Sequence, residues 1–246
     1  MNEKRVAVVA GASAGIGAAT VRALAGAGFQ VIAGARRLDR LREVTEPAGA
    51  TALALDVTSA DSVAAFAAQC PQRVHLLVDN AGMAQGLDRV ADSTDEGWVG
   101  MWEVNVLGAV RMARALLPAL EASGDGHLVV VGSTSSFETY VGGAGYTSTK
   151  HALRAVVRTL RLELLGRPVR VTEITPGLVE TEFSTVRFAG DRERAANVYK
   201  GMQPLTPNDV AECIRWAATL PSHVNVDEIV VRPRAQANSA TVHRQP

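Results

Sequence analysis

The sequence predicts a single-domain α/β protein whose doubly wound, parallel seven-stranded sheet has helices on both faces. Seven short apolar runs have the length of strands, and helical stretches alternate with them along the 246 residues. The runs are apolar throughout rather than at every second position, which is typical of strands covered on both faces. No linker-like stretch or internal repeat divides the chain, so we expect residues 1–246 to form one domain.

The elements follow in chain order. Strands are predicted at residues 6–10, 30–35, 51–55, 74–78, 127–132, 169–174 and 228–231. Helices are predicted at residues 15–27, 59–68, 101–117 and 146–165, with a further helix beginning at 207. Pro207 suits the first turn of that helix, because Thr206 and Asp209 form a capping pattern around it.

Four segments carry further expectations. Residues 101–117 and 146–165 are apolar on more than one helix face, which favours contact between subunits, although a wide core face with scattered exposed leucines gives the same pattern. Residues 183–203 form the longest irregular stretch, with Gly190 and mixed charges, and we expect a mobile flap over a ligand. Residues 233–246 are the predicted C-terminal tail.

Composition excludes several classes of function. The chain has 25 Lys+Arg and 25 Asp+Glu residues, so no broad positive field attracts nucleic acid or an acidic membrane. No apolar run of ~18 residues predicts a membrane span, and the N-terminus lacks a signal-peptide pattern. Cys70 and Cys213 have no metal-ligand spacing and are too few for a disulfide framework. We expect a cytoplasmic protein that acts on a small molecule without a metal.

A glycine-rich turn follows the first predicted strand and opens the first helix. Glycines here permit a tight turn and let the backbone approach a pyrophosphate, which the free N–H groups of the helix bind. The pattern predicts a Rossmann-type sheet whose first turn binds a dinucleotide through Gly11, Ser13, Gly15, Ile16 and Gly17.

The same turn also satisfies the Gly-x-Ser-x-Gly pattern of α/β-hydrolases. Such an enzyme needs an acid and then a histidine later in the chain, for which His223 and His243 are candidates. Because the pattern lies on the first strand, no earlier loop is left to form an oxyanion hole. Dinucleotide binding is therefore the better interpretation.

The end of the second strand predicts the choice of dinucleotide. An Asp or Glu there would bind the ribose 2′-hydroxyl of NAD, whereas this strand ends in Arg36 and Arg37. Two guanidinium groups can bind the 2′-phosphate of NADP, although a solvated pair at a helix start has the same sequence. We therefore predict NADP. Asp56 and Val57, past the third strand, are placed to contact the adenine edge, and Asp56 could equally serve a turn.

Tyr146 and Lys150 are four residues apart at the start of a predicted helix, so both side chains lie on one face. A phenol has a pKa of about 10 and is a poor base at neutral pH, but an adjacent ammonium and a positively charged nicotinamide would lower that pKa. The spacing therefore indicates acid–base chemistry, unless the two residues form a surface pair.

Further motifs accompany this pair in order along the chain. They are Asn80-Ala81-Gly82, Asn105, Ser133 and Pro176-Gly177-Leu178-Val179-Glu180-Thr181. Together with the glycine turn, the set resembles the short-chain dehydrogenase/reductase family over essentially the whole chain. The sequence departs from the family pattern at Ala10, where Thr is common, and at Asp79, which replaces the first of two Asn residues.

The resemblance implies four catalytic roles. Tyr146 would exchange a proton with the substrate, and Ser133 would bind the substrate oxygen. Lys150 would lower the pKa of Tyr146 and bind the nicotinamide ribose. Asn105 would shape a helix kink and a water chain for the proton. These groups suffice for hydride and proton transfer without a metal.

The resemblance also implies three further contacts to the cofactor. Asn80 would line its adenine-ribose side, and Val179 and Thr181 would fix its carboxamide so that the nicotinamide presents one face for hydride transfer.

Within the family, the chain resembles most closely the NADP-dependent 3-hydroxy acid dehydrogenases of serine type. The matching stretches are residues 34–37, 132–134, 176–179, 182–184, 186–188, 205–207, 220–221, 223–225 and 243–245. The resemblance implies a homotetramer that oxidises a β-hydroxy acid or reduces its semialdehyde. Arg187 is our candidate partner for the substrate carboxylate, although it could instead face solvent. Phe137 and Glu138 are further pocket candidates, and an inward Glu138 would repel a carboxylate.

Two other functions are compatible with the same sequence. One is a short-chain carbonyl reductase or alcohol dehydrogenase with a different, bulkier substrate. The other is a protein that binds NADP without catalysis, against which the set of Ser133, Tyr146 and Lys150 argues.

Overall fold

The computed structural model describes residues 4–245, and its centre is one seven-stranded parallel sheet. The strands are β1 Val6–Ala10, β2 Gln30–Ala35, β3 Thr51–Ala54, β4 Leu76–Asp79, β5 Gly126–Val131, β6 Val169–Pro176 and β7 Glu228–Val231. Their order across the sheet is β3-β2-β1-β4-β5-β6-β7. The predicted fold class is confirmed, because each apolar run forms a strand within two residues of its predicted bounds.

Helices cover both faces of this sheet. They are α1 Gly15–Gly26, α2 Leu38–Thr45, α3 Ala60–Ala67, α4 Asp95–Trp102, α5 Gly108–Ala122, α6 Ala144–Glu163, α7 Glu182–Arg187, α8 Arg192–Asn197 and α9 Pro207–Ala218. Short 3-10 helices lie at Val90–Asp92 and Thr134–Ser136. Within residues 4–245, no helix has the length and apolarity that a bilayer crossing requires.

Alternate residues of each strand contribute to two separate cores. Val8 of β1 packs in the core formed with α3, α5 and α6, which includes Met112 and Leu153. Its neighbour Val9 packs in the core formed with α1, α2 and α9, which includes Leu24. Because parallel strands are buried on both faces, both sets of side chains are apolar, as the continuous runs predicted.

The strand order reverses next to β1, and this reversal places the site. Ala10 at the end of β1 pairs with Gly34 of β2 on one side and with Asp79 of β4 on the other. From β1 the chain adds β2 and β3 on one side of the sheet and then β4 to β7 on the other side. The loops after β1 and β4 therefore run in opposite directions, and a crevice opens between them at the carboxyl ends of the strands.

The helix predicted at 101–117 differs from the one observed. It begins earlier, at Asp95, where the Thr94 hydroxyl caps it by accepting a hydrogen bond from the Gly97 N–H. A π-helical turn, Glu103–Leu107, then separates α4 from α5. The buried Asn105 lies in this turn. Its side-chain amide makes two hydrogen bonds to the backbone of Met83: it accepts from the Met83 N–H at 2.8 Å and donates to the Met83 carbonyl oxygen at 2.8 Å. Apolar periodicity does not encode such an insertion.

The prediction that residues 183–203 are irregular is wrong over the two short helices α7 and α8, which lie in this segment. Each helix has a side-chain cap: Thr181 accepts from the Phe183 N–H, and Asp191 accepts from the Arg194 N–H. The predicted cap of α9 is confirmed, because Thr206 and Asp209 make reciprocal bonds around Pro207. The C-terminal tail contacts the end of the flap, where the Gln245 N–H donates to Gly201, and Pro246 lies outside the described residues.

Candidate active site

The glycine turn between β1 and α1 has the geometry of an anion site. Gly11 and Gly15 have φ of +71° and +54°, which side chains disfavour. A Cβ at Gly17 would overlap with the Gly11 carbonyl oxygen, so the turn is too tight for any larger residue. Among residues 4–245, no side chain caps the first turn of α1 and no acidic residue lies in that turn, so its N–H groups favour a bound anion.

A cavity of about 680 Å³, the cleft, runs from this turn along the carboxyl ends of the strands. Most of the predicted site residues line it: Gly11, Ser13, Gly15, Ile16, Arg36, Arg37, Asp56, Val57, Asn80, Ser133, Tyr146, Lys150, Val179, Thr181 and Arg187. Gly17 and Asn105 lie behind its surface. Gly17 packs against Gly11 and Asn80, and Asn105 is bonded to Met83 and Thr149.

Arg37, the second of the two arginines that follow β2, is already paired with groups of the chain. The Arg37 guanidinium donates to Glu182 at 3.0 Å and to the Ser13 hydroxyl at 3.2 Å. Arg40 of α2 also pairs with Glu182, and the bond from Arg40 holds the pKa of that carboxyl below its usual value. Glu182 therefore neutralises part of the positive charge predicted for a 2′-phosphate. The sequence did not indicate this contact, which spans 145 residues.

Asp56 serves a turn and lines the cleft as well. Its Oδ1 accepts hydrogen bonds from the Thr58 N–H and the Thr58 hydroxyl at 3.0 and 2.7 Å, and these bonds lower the pKa of Asp56. Nearby, the Asn80 amide donates to the Gly11 carbonyl oxygen at 3.0 Å. Asn80 thus ties the end of β4 to the glycine turn.

Tyr146 lies in the first turn of α6 with its ring buried. Its phenol lies near enough to the Ser133 hydroxyl for that hydroxyl to oppose the rise in the Tyr146 pKa, and the Ser133 hydroxyl accepts a hydrogen bond from the Ser135 N–H at 3.1 Å. The Phe183 ring approaches edge-on, with ring centroids 5.6 Å apart. Burial raises the pKa of Tyr146, and the Ser133 hydroxyl and the Arg187 charge offset only part of that rise. Without the nicotinamide charge, the chain therefore does not produce the lowered pKa of Tyr146 that the sequence predicts from Lys150 and the cofactor together.

Lys150 is buried one helical turn further along α6. Its Nζ donates to the Val131 carbonyl oxygen at 3.0 Å and lies 5.9 Å from the centroid of the Tyr146 ring. Burial lowers the pKa of Lys150 to about 8, although the carboxyl groups of Asp79 and Glu173 oppose the shift. The ammonium form is thus only moderately favoured at neutral pH.

The alternative interpretation, in which Arg187 faces solvent, is wrong. Its Nε donates to the Gly86 carbonyl oxygen at 2.8 Å, and its Nη2 donates to the Tyr140 hydroxyl at 3.1 Å. The guanidinium carbon lies 5.8 Å from the centroid of the Tyr146 ring. A fixed positive charge therefore lies beside the phenol in the cleft.

Phe137 and Glu138 do not line the cleft, so their prediction as pocket residues is wrong. Glu138 accepts from Arg232 at 2.7 Å and from the Ser239 N–H and hydroxyl, which satisfies its charge away from the cleft. The Phe137 ring packs under the guanidinium groups of Arg154 and Arg232. The 3-10 helix after Ser133 directs both residues away from the cleft. Tyr140 and Val141, a few residues further along the chain, line it instead.

The loop after β6 carries the remaining predicted contacts. Val179 bridges to Leu205, and its carbonyl oxygen accepts from the Tyr199 hydroxyl at 2.8 Å. Thr181 packs against Gly15 and caps α7. Sequence reasoning missed Tyr199 and Tyr140, because neither follows a strand or belongs to a motif.

Comparison with known proteins gives consistent results. A model of the short chain dehydrogenase family matches residues 5–191. An uncharacterized oxidoreductase of Mycobacterium tuberculosis (strain ATCC 25618 / H37Rv) is 58% identical over 237 residues, which cover 96% of this chain and 94% of the relative. An NADP-dependent 3-hydroxy acid dehydrogenase of Schizosaccharomyces pombe is 38% identical over 97% of this chain and 96% of its own length. The closed form of serine dehydrogenase complexed with NADP⁺ has a TM-score of 0.92 at 38% identity, covering 98% of this chain and all of that one.

Proposed function

This chain belongs to the short chain dehydrogenase family, and we propose that it is an NADP-dependent oxidoreductase that interconverts a small 3-hydroxy acid and its semialdehyde. One observation carries the substrate class: the Arg187 guanidinium lies beside the buried phenol of Tyr146 in a cleft that begins at the glycine turn. A substrate whose oxygen reaches Tyr146 would place a nearby carboxylate against that cation. The named activities of the relatives from Schizosaccharomyces pombe and of serine dehydrogenase support the same class.

The groups at the first half of the cleft fit NADP. The uncapped N–H groups of α1 suit the pyrophosphate, and Ser13, Arg36 and Arg37 suit the 2′-phosphate. Asp56, Val57 and Asn80 would contact the adenosine part, with Val179 and Thr181 against the carboxamide. NADP supplies the hydride acceptor, and NADPH the hydride donor, when bound.

The groups at the second half of the cleft move the proton. Burial keeps the Tyr146 phenol protonated at neutral pH, so it can donate to the oxygen of a semialdehyde while Ser133 holds that oxygen. In oxidation the phenolate must form, and the Lys150 ammonium and Arg187 guanidinium near the ring favour it. Asn105 would support the proton path, since its amide fixes the loop at Met83 and the Thr149 hydroxyl on α6.

A substrate panel followed by NADPH absorbance tests the proposal. The panel pairs 3-hydroxypropionate, L-serine and 3-hydroxybutyrate with matched alcohols that lack the carboxylate, each with NADP and with NAD. We expect turnover of hydroxy acids with NADP at a kcat/KM at least tenfold above that of the matched alcohols. Equal rates for both sets would contradict the substrate class, and absence of all turnover would favour a non-catalytic NADP-binding protein.

A short-chain reductase for a bulkier carbonyl compound is the second candidate. It is favoured by the apolar side chains that line the cleft beyond Tyr146, which are Leu87, Val141, Phe183 and Val186. Faster NADPH oxidation with bulky ketones than with semialdehydes would select this candidate.

Assembly and location belong to the same proposal. We infer a homotetramer, the assembly that the family resemblance implies. Large apolar side chains are exposed at Val99 of α4, Leu107 of the π-helical turn, Leu162 of α6 and Leu165 just beyond α6, which favours contact between copies of the chain. The free thiols of Cys70 and Cys213 are consistent with a reducing, cytoplasmic location.

A further inference from the structure

A row of acidic residues crosses the sheet directly behind the proposed active site. Asp79 of β4 pairs in register with Val130 of β5, Val130 with Glu173 of β6, and Glu173 with Glu228 of β7. Residues in register on parallel strands point to the same face, and Val130 packs in the core that α5 and α6 cover. The carboxyl groups of this row therefore lie on the face that meets α6.

Helix α6 presents two cations to this row. Lys150 and Arg154 are four residues apart, as are Tyr146 and Lys150, so all three lie on one helix face. Lys150 donates to the carbonyl of Val131, the residue after Val130, and so lies between the strands that carry Asp79 and Glu173. Arg154 lies at the other end of the row, next to Glu228.

The division of partners within the row is specific. The Arg154 guanidinium binds both carboxylate oxygens of Glu228, at 2.5 and 2.7 Å, and lies 3.8 Å from Glu173. Arg154 also donates to the Ser136 hydroxyl at 3.3 Å, in the turn that follows Ser133. The charge of Glu228 is thus balanced by Arg154, whereas Glu173 lies close to Arg154 and also acts on Lys150.

Two carboxylate oxygens of the row lack hydrogen bonds. Asp79 is 4% exposed and Glu173 is 2% exposed, and within residues 4–245 neither Oδ1 of Asp79 nor Oε1 of Glu173 has a hydrogen-bond partner. A buried carboxylate with an unpaired oxygen is costly unless a counter-charge is near. Lys150, itself 4% exposed, is the cation whose field reaches both groups.

We propose that Asp79 and Glu173 are positioning residues that hold the Lys150 ammonium, charged and fixed, beside Tyr146. This inference rests on the proposed function, since the charge of Lys150 matters to turnover only if Tyr146 exchanges a proton. Asp79 and Glu173 would act through Lys150, because neither lines the cleft.

The electrostatics agree in sign with this arrangement. Burial lowers the pKa of Lys150 to about 8, and both carboxyl groups raise it towards its ordinary value. Burial raises the pKa of Asp79 to about 6, so its carboxylate is the main form above that pH. The other charged groups are Arg154 on α6 and Glu228 on β7 at the far end of the row, and Arg187 of α7, which faces Tyr146. Loss of either carboxylate would therefore bring the Lys150 pKa closer to neutrality.

Lysine titration by NMR tests the inference without turnover. The chain has only three lysines, Lys4, Lys150 and Lys200, so ¹³C-lysine labelling gives three Cε signals that Lys4→Arg and Lys200→Arg assign. We expect the Lys150 midpoint to fall by about one pH unit in Asp79→Asn and in Glu173→Gln, the shift typical of removing one nearby charge. In the unmodified protein, the Lys150 signal should also report the ionisation of Asp79 near pH 6.

The control is Glu228→Gln, which removes a carboxylate from the same row but one that Arg154 already binds. Its Lys150 midpoint should stay within ~0.3 pH units of the unmodified protein, since a charge beyond the nearest neighbours has little effect. Thermal unfolding curves show which variants are folded, and the unmodified protein alone still gives the Asp79-linked inflection.

An unchanged Lys150 midpoint in both Asp79→Asn and Glu173→Gln would overturn the inference, and so would a Lys150 signal without any inflection near pH 6. Because the titration is measured without substrate, it stands apart from the proposed activity. If the enzyme turns over, the alkaline limb of its kcat profile should move by the same amount as the Lys150 midpoint. If it does not turn over, the proposed function falls, while the NMR result still decides the charge state of Lys150.

Discussion

At the scale of single residues, Tyr146 shows how far sequence reasoning extends. Its spacing from Lys150 was enough to predict that both would face one site, because helix geometry fixes that relation. The direction of its pKa was not predictable, since it depends on burial by Phe183 and on contacts with Ser133 and Arg187, which come from distant parts of the chain. Local spacing predicts which side chains meet, and tertiary burial decides their ionisation.

Arg187 provides a test of substrate selection. Arg187→Leu should raise KM for a 3-hydroxy acid by about 10- to 100-fold, the cost of losing a charge-assisted hydrogen bond, and leave KM for a matched uncharged alcohol unchanged. Initial rates over a range of substrate concentrations measure both values. Arg194→Ala is the matched control, because Arg194 lies in the same segment but stacks on Phe188. Equal changes for acid and alcohol would remove Arg187 from carboxylate binding.

Glu182 competes with the cofactor phosphate for Arg37. Glu182→Gln should tighten NADP binding about two- to fivefold, the range of an exposed ion pair, and leave NAD binding unchanged. Fluorescence titration with each dinucleotide measures the effect. Asp39→Asn, which removes the exposed pair with Arg42 on α2, is the control. Weaker NADP binding in Glu182→Gln would show that Glu182 supports the phosphate site instead.

At the scale of elements, the strands were predictable and the insertions were not. Continuous apolar runs predicted the seven strands because burial on both sheet faces requires them. The resemblance implied a helix kink at Asn105, which lies in the π-helical turn Glu103–Leu107. The apolar pattern indicated neither this turn nor the helices α7 and α8, which begin at the side-chain caps Thr181 and Asp191. Polar side chains that satisfy local backbone groups leave little trace in a hydrophobic pattern.

The glycine turn gives the prediction that belongs to this scale. Gly17→Ala introduces a Cβ that overlaps with the Gly11 carbonyl oxygen and the Asn80 amide, so the turn must open. We expect the Kd for NADP to rise at least tenfold, measured by calorimetry. Gly26→Ala, at the other end of α1, is the control, because its Cβ meets nothing within 4 Å. Normal NADP binding by Gly17→Ala would contradict the role of this turn.

At the scale of the whole molecule, the parallel sheet explains why distant motifs meet. All strands end at the same edge, so the loops after the first six strands, β1 to β6, line one cleft. The sequence could predict this convergence from motif positions alone. It could not predict the acidic row behind the cleft, because register between neighbouring strands decides which residues share a face.

The exposed apolar side chains of α4, of the π-helical turn and of the C-terminal end of α6 predict the state of the protein in solution. Leu162 and Leu165 are 77% and 86% exposed, which is costly for a monomer. Light scattering coupled to size-exclusion chromatography should give a mass about four times the 25.9 kDa of one chain. A monomeric mass at micromolar concentration would contradict the proposed tetramer.

The most direct test of the central claim, that the Tyr146 phenol exchanges the substrate proton, is the kcat of Tyr146→Phe. The substitution removes one oxygen and keeps the ring packed against Phe183. We predict a loss of kcat of about 10³- to 10⁴-fold, towards the upper end of general acid–base catalysis, with the Kd for NADP unchanged. A kcat within a few-fold of the unmodified enzyme would contradict the account.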